Sequence, residues 1–205
     1  LPDGGAQHFK NCIDEIRKIC DAKIEILTPD MKGNTAALDT IIKAHPDVFN
    51  HNIETVRSIF KTARPQGDYD RSIEVLRYVK ENSNIVTKSG LMVGLGATHV
   101  DIGSADNHKT TCLSCNSESA SMYSSEVEEI EQTLVDLKNA GVDIITIGQY
   151  IQPSKQHLPV AKYYTLEEFE ELKELARKIG FKNFQIGPLV RSSYHAMASY
   201  ETSLK

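Results

Sequence analysis

Short runs of β-branched and apolar residues alternate along this chain with amphipathic stretches about three turns long, and this alternation restricts the fold most. Residues 6–20 place Phe9, Ile13, Ile16 and Cys20 at i, i+4, i+7 and i+11, one stripe of a helix. A strand-like run over 23–27 closes on Thr28-Pro29-Asp30, and Asn34 stands where it can cap a helix carrying Leu38, Ile41 and Ile42. A second run at 47–50 leads into a brief helix near 54–61. Residues 68–80 follow, with Ile73, Leu76 and Val79 behind a possible Asp68 cap, and 85–93 reads as a third strand. Ser125-x-x-Glu128 is a capping box ahead of Val127, Ile130, Leu134 and Leu137, with Gly141 as terminator. Thr165-x-x-Glu168 repeats the device ahead of Phe169, Leu172, Ala176 and Ile179, with Gly180 at the end. A buried-type strand over 142–148 lies between them, and a weak one sits near 182–186. Strands alternating with helices imply βα units and a parallel α/β sheet. Runs that are apolar throughout fit a sheet covered on both faces, or a barrel wall.

A chain of 205 residues suits one domain, or one domain with an insertion. The net charge of −5 gives no general nucleic-acid footprint. Apolar runs such as 143–148 are far shorter than a bilayer needs, so no membrane span is expected. The opening residues have neither the basic nor the apolar region of a signal peptide. Four cysteines do not make a disulfide scaffold. A soluble, intracellular, globular protein is the expectation. The chain opens at Leu1 on a Pro-Asp-Gly-Gly turn without an initiator Met, as a fragment opens. Residues 98–124 are polar, Ser-rich and aperiodic, and read as an insertion between a strand and its helix.

In parallel βα architectures chemistry collects where strands end and helices begin. Thr28-Pro29-Asp30, Asn50-His51-Asn52-Ile53-Glu54, Lys88-Ser89-Gly90 with Gly94-Leu95-Gly96, and Gly148-Gln149-Tyr150 all fall at or near such positions. Any one of them could be an ordinary turn. Together they favour a site at one barrel mouth, with amides, carboxylates, a lysine and close-approach glycines that suit a polar, multi-part ligand. Gly94-Leu95-Gly96 lacks the third glycine of a dinucleotide fingerprint. His51 reads as a structural hydrogen-bonder rather than a base. Cys12 and Cys20 read as small buried hydrophobes of the first helix. Cys112-x-x-Cys115 with His99 and His108 offers one Cys pair, less than the two ligand pairs of a strong zinc pattern. Residues 187–196 crowd an Arg, two hydroxyls, a Tyr and a His together, as in a tail folded back over a site.

Taken in order, several segments resemble the lipoyl synthases. They are 1–6 (LPDGGA), 26–30 (ILTPD), 48–55 (VFNHNIET), 87–90 (TKSG), 94–96 (GLG), 147–153 (IGQYIQP), 157–160 (HLPV) and 187–196 (GPLVRSSYHA). The resemblance runs along nearly the whole chain apart from 98–124. It implies a partial (β/α)6 TIM-like barrel of the radical S-adenosylmethionine type, with the first strands upstream of Leu1 and an unpaired sheet edge where they would pair. Residues 1–97 and 125–187 would form the partial barrel, and 188–205 a C-terminal tail. The implied reaction inserts two sulfur atoms into an octanoyl chain amide-linked to a lysine of a lipoyl carrier domain, either glycine cleavage H protein or a dehydrogenase E2 subunit. Its cofactors would be S-adenosylmethionine and two [4Fe–4S] clusters. One cluster splits S-adenosylmethionine to a 5′-deoxyadenosyl radical, and the other is sacrificed as the sulfur source. The auxiliary cluster takes three cysteines and one serine of the family's Arg-Ser-Ser-Tyr motif. By resemblance that serine is Ser193, with Ser192 second, and Arg191 and Tyr194 complete the motif. Asn50, Asn52, Glu54 and Lys88 would hold S-adenosylmethionine or the octanoyl-lysine.

Two departures stand beside the match. The family's CxxxCxxC and CxxxxCxxxxxC motifs lie upstream of its Leu-Pro-Asp-Gly-Gly segment, and Cys12, Cys20, Cys112 and Cys115 do not reproduce their spacing. Ala97 also stands where the family usually has Glu, directly before the 98–124 segment. The chain alone is therefore expected to be inactive. A cluster-free binding module for a lipoyl carrier domain or S-adenosylmethionine is the alternative reading, and a zinc-stabilised interaction loop at 98–124 is a third. The resemblance is compatible with a bacterial cytoplasm or with a mitochondrial or plastid matrix.

Overall fold

The structure, a computed structural model, describes residues 1–95, 118–193 and 196–203. Five parallel strands form one sheet in chain order: β1 (Glu25–Leu27), β2 (Val48–Asn50), β3 (Val86–Val93), β4 (Ile144–Gln149) and β5 (Asn183–Ile186). Around them run α1 (Ala6–Ile19), α2 (Thr35–Ile42), α3 (Arg57–Ala63), α4 (Tyr69–Asn82), α5 (Glu118–Asn139), α6 (Leu166–Ile179) and α7 (Ala196–Ser203). A 3-10 turn, Met31–Gly33, precedes α2.

The register sorts the two faces. Leu27 pairs with Asn50, Asn50 with Lys88, Lys88 with Ile144 and Ile144 with Asn183, so these residues share one face and their chain neighbours take the other. The second face carries Ile26, Phe49, Leu91, Ile145 and Ile147. These join Ile13, Leu38, Phe60, Leu76, Ile130 and Phe169, one from each of α1 to α6, in a single core. Helices α1 to α6 all on one face and strands in chain order make an arc of a β/α barrel, not a doubly wound sheet. The barrel-wall alternative thus holds. β1 and β5 are the edges, and the barrel does not close among the described residues.

Local signals account for most boundaries. Asn34 Oδ1 accepts from the Ala37 N–H at 3.2 Å, and Asp68 Oδ1 from the Arg71 N–H at 3.0 Å. Thr165 and Glu168 form a full capping box, and Gly180 ends α6 at φ 100°. Helix α5, by contrast, begins at Glu118, so Ser125 lies inside it and does not cap it. Residues 118–124 contain no Gly or Pro, and extending a helix already anchored by Ile130, Leu134 and Leu137 costs little per residue.

Cys12 and Cys20 are exposed, which corrects the expectation that they are buried. The stripe on α1 is narrower than its spacing implies. Ile13 is buried, Ile16 is 38% exposed, and Cys20 is the extended residue that ends the helix.

The sequence offers no stripe for α7. It is anchored by Tyr200, which packs on Val48, Val86 and Ile144 on the inner sheet face, and by the Asn183 side chain donating to the Ser199 carbonyl. The Tyr200 hydroxyl donates to Asp47 Oδ1 at 3.2 Å. Asp47 also accepts from the Ile24 N–H at 2.9 Å, Arg17 at 2.5 Å and Lys23 at 3.0 Å. Burial pushes the Asp47 pKa up, but these donors outweigh it and hold the carboxyl at about 2.

Candidate functional site

At the C-terminal ends of β3 and β4 lies a cavity of about 400 Å³, lined by Glu54, Arg64, Met92, Tyr150, His157 and Arg191 among others. Its walls depend on how the chain leaves each strand. After β2 the backbone follows the inner strand, with the Glu54 N–H on the Gly90 carbonyl at 2.9 Å and the Met92 N–H on the Glu54 carbonyl at 2.8 Å. Glu54 is held at φ 69°, the left-handed region that a non-glycine residue seldom occupies. Burial raises its pKa above the usual carboxylate value, against the opposing pull of Arg64 and the Asn52 side chain. Arg64 is steered there by its Nη1, which donates to the Asn52 carbonyl at 3.1 Å.

After β4, the Gln149 amide pins the following loop. Its Nε2 donates to the Lys162 carbonyl at 2.9 Å and the Tyr150 carbonyl at 3.0 Å, and its Oε1 accepts from the Tyr164 N–H at 2.9 Å. The Tyr150 hydroxyl reaches the Leu158 carbonyl at 2.7 Å. After β5 the tail folds back over β4. A Cβ on Gly148 would overlap the Val190 carbonyl oxygen, so only glycine lets the tail approach so closely. That approach sets Arg191 at the cavity wall, with Nη1 on the Val190 carbonyl at 3.0 Å.

One layer below, the inner face carries charge. Lys88 is 1% exposed, and its Nζ donates to both Glu25 oxygens at 3.0 and 2.9 Å. The Asn50 Nδ2 donates to Glu25 Oε1 at 2.9 Å. Asn52 sits above, with its Oδ1 over Gly90, where a Cβ would come to 2.8 Å of that oxygen and 3.0 Å of Thr146 Oγ1. His51 is buried beside the 28–30 turn. Its Nδ1 lies 2.9 Å from the Thr28 carbonyl and so carries the proton. Burial lowers its pKa despite that bond, which keeps the ring neutral, as a structural hydrogen-bonder should be.

Of the residues expected from sequence, Glu54 and Arg191 line the cavity, Asn52 and Asn50 lie beneath it, and Lys88 is sequestered in the Glu25 pair. Ser192 is half-buried and Ser193 exposed, directly after Arg191. Tyr194, Ala97 and the Cys112–Cys115 pair lie outside the described residues. Glu25 and Arg64 were not anticipated, whereas Gln149 falls in the Gly148-Gln149-Tyr150 cluster expected at the end of the fourth strand. For Glu25 the available signal was a carboxylate on alternate phase to Ile24 and Ile26 in an otherwise apolar strand.

The donor set fits the two expected cofactors differently. Among the described residues no group of three or more His, Cys, Asp or Glu side chains is arranged to hold a metal ion, and Cys12 and Cys20 lie exposed at α1. These residues do not fit a [4Fe–4S] cluster. By contrast Asn50 Oδ1 and Asn52 Oδ1 are buried acceptors of the inner face with no donor. Buried acceptors are rarely left unmet, and a ligand bringing ammonium or hydroxyl donors, as S-adenosylmethionine does, fits them.

Comparison with known proteins agrees with the architecture. Residues 1–108 match the model of the radical SAM superfamily. The chain is 46% identical over 198 residues to a lipoyl synthase of Rubrobacter xylanophilus, covering 96% of this chain and 53% of that protein. It is 43% identical over 197 residues to a lipoyl synthase of Caldanaerobacter subterraneus, covering 96% and 60%. A lipoyl synthase of a Shewanella species is 48% identical over 199 residues, covering 96% and 53%. The chain therefore spans 53 to 60% of the length of these relatives. Among solved structures, methylornithine synthase shares the fold at TM-score 0.59 and 11% identity, covering 96% of this chain and 50% of that one. With the open parallel arc, the inner polar face and a family model matched over residues 1–108, this chain belongs to the radical SAM superfamily.

Proposed function

We propose that this chain is the substrate-facing portion of a lipoyl synthase, which inserts two sulfur atoms into a protein-bound octanoyl-lysine to give lipoyl-lysine. The observation that carries this reading is the 43 to 48% identity to three lipoyl synthases over 96% of the chain. Radical SAM membership implies S-adenosylmethionine and [4Fe–4S] chemistry. S-adenosylmethionine, when bound, supplies the radical that removes hydrogen from unactivated carbon.

In this reading Asn50, Asn52 and Glu54 receive the donors of S-adenosylmethionine or of the octanoyl-lysine amide. A cationic ammonium beside Glu54 would offset the burial that raises its pKa. Lys88 supports the floor from within its ion pair. Arg191 and Tyr194 shape the tail, and Ser193, with Ser192 as second choice, offers an oxygen ligand to the auxiliary cluster. The partner is an octanoylated lipoyl carrier domain, glycine cleavage H protein or a dehydrogenase E2 subunit. Among the described residues no helix is long and apolar enough to cross a membrane.

The test is a chimera in which residues 1–205 replace the matched segment of the Rubrobacter relative, reconstituted anaerobically with iron and sulfide. Given S-adenosylmethionine and octanoylated H protein, the chimera should yield 5′-deoxyadenosine and lipoyl product, and the 205-residue chain by itself should yield neither. A chimera with native circular dichroism that makes neither product overturns the proposal. If the chain binds the carrier domain while the folded chimera stays silent, the binding-module reading gains.

A further inference from the structure

The Glu25 carboxylate has two partners on the inner face: the Lys88 ammonium, held by both oxygens, and the Asn50 amide nitrogen. An asparagine amide has a donor end and an acceptor end, and its two orientations have the same shape. A carboxylate can only accept. Glu25 therefore fixes Asn50 with Nδ2 toward itself, which turns Oδ1 away, and that oxygen is buried without a donor. Lys88, 1% exposed and turned to both Glu25 oxygens, does not reach that oxygen.

We infer that Glu25 is a positioning residue that dictates the polarity of the site floor. Through Asn50 it presents an acceptor, never a donor, to whatever enters from the cavity side. This rests on the reading of the inner face as a ligand site given above. The matching group on the ligand is a hydrogen-bond donor, either a hydroxyl or ammonium of S-adenosylmethionine or the amide N–H of an octanoyl-lysine. Glu25 touches neither, and acts through Asn50.

Glu25→Gln changes the donor pattern with little change of shape, and because it also removes the counter-charge of Lys88 its effect on binding is read against its melting temperature. With the glutamine oxygen on Lys88 in the place of Oε2, its NH₂ takes the place of Oε1 beside Asn50, which then turns its oxygen inward and shows NH₂ to the ligand. Exchanging the two groups, Glu25→Gln with Asn50→Asp, keeps the net charge and restores an acceptor on the ligand side.

The experiment is equilibrium binding of S-adenosylmethionine, and separately of an octanoyl-lysyl peptide, to the 205-residue chain and both variants. Thermal melting is followed in parallel. The single variant should bind at least about tenfold more weakly, since a buried acceptor facing an acceptor-seeking donor is replaced by two opposed donors. The double variant should recover most of that loss. Whichever probe is affected is the one whose donor meets Asn50. If the chain binds but the single variant loses nothing, or if binding only tracks the melting temperature and the exchange fails to restore it, the inference falls and the proposed function stands. If the unaltered chain binds neither probe at millimolar concentration, the site reading itself falls and takes the inference with it.

Discussion

Gly148→Ala pits two physical effects against each other with opposite signs. Gly148 lies inside β4 and has no positive φ, so on backbone grounds alanine should stabilise the strand by about 0.5–1 kcal/mol. The tertiary contact says otherwise. A Cβ at Gly148 would meet the Val190 carbonyl oxygen closer than the 3.0 Å that real Cβ atoms essentially never breach, with the carbonyl carbon at 3.3 Å and Arg191 Nη1 at 3.4 Å. That carbonyl is backbone, and its segment is pinned by the Gly187 N–H on the Ile147 carbonyl at 3.0 Å and the Val190 N–H on the Gly187 carbonyl at 3.1 Å. It cannot swing aside as a side-chain tip would. Overpacking against a fixed group costs about 1–3 kcal/mol. After the strand gain is subtracted, a net loss of about 1–2 kcal/mol remains, or a fall in Tm of roughly 2–8 °C for a chain of this size. Calorimetry measures the first effect. Trypsin cleavage after Arg191, on the displaced tail, measures the second and should accelerate. An unchanged or raised Tm with cleavage after Arg191 no faster would refute the claim that the tail is seated on Gly148.

Other perturbations follow from the same geometry. Asp47 has its pKa depressed from 3.8 to about 2, so its stabilisation is complete above about pH 4 and is lost as pH falls through 2. Asp47→Asn should cost about 1–2 kcal/mol at pH 7 in urea titrations, and the difference should shrink below pH 4; a difference independent of pH would contradict the assignment. Lys88→Met strips the partner from a carboxylate only 22% exposed and should cost about 3 kcal/mol, with Lys88→Met/Glu25→Leu recovering most of it. Equal urea midpoints for the two variants would argue against the pair. In the reconstituted chimera, Ser193→Ala should leave the fold and 5′-deoxyadenosine formation intact while abolishing lipoyl product. Undiminished product would remove Ser193 as the ligand and turn attention to Ser192.

The elements readable from sequence were those whose determinants are local. Asn34, Asp68 and Thr165 cap helices because one side-chain oxygen meets the N–H three residues on, a relation that spacing alone encodes. The strands announced themselves by β-branched runs. The site residues at strand ends followed from the parallel topology, and Glu54 and Arg191 do share one cavity. What escaped were relations that only the register creates. Glu25 and Lys88 lie 63 residues apart, and nothing in either neighbourhood says that they pair. Cys12 and Cys20 satisfied a helical stripe, but only the position of α1 against the sheet decides how much of a stripe is covered. Helix α7 has one apolar anchor, Tyr200, and one apolar contact leaves no periodicity to read.

That tyrosine also has a bearing on how the chain is built. Tyr200 reaches Asp47 across 153 residues of sequence and closes over Val48, Val86 and Ile144. On a ribosome those three side chains emerge long before their cover. The outer core of the arc can assemble unit by unit as each strand and helix appears, but the inner apolar trio waits for Tyr200, 153 residues beyond Asp47. Contacts of such long sequence separation are slow to form. The nascent arc therefore passes through a stage in which its hinder apolar patch is open to other chains, and α7 acts as its own late-arriving chaperone.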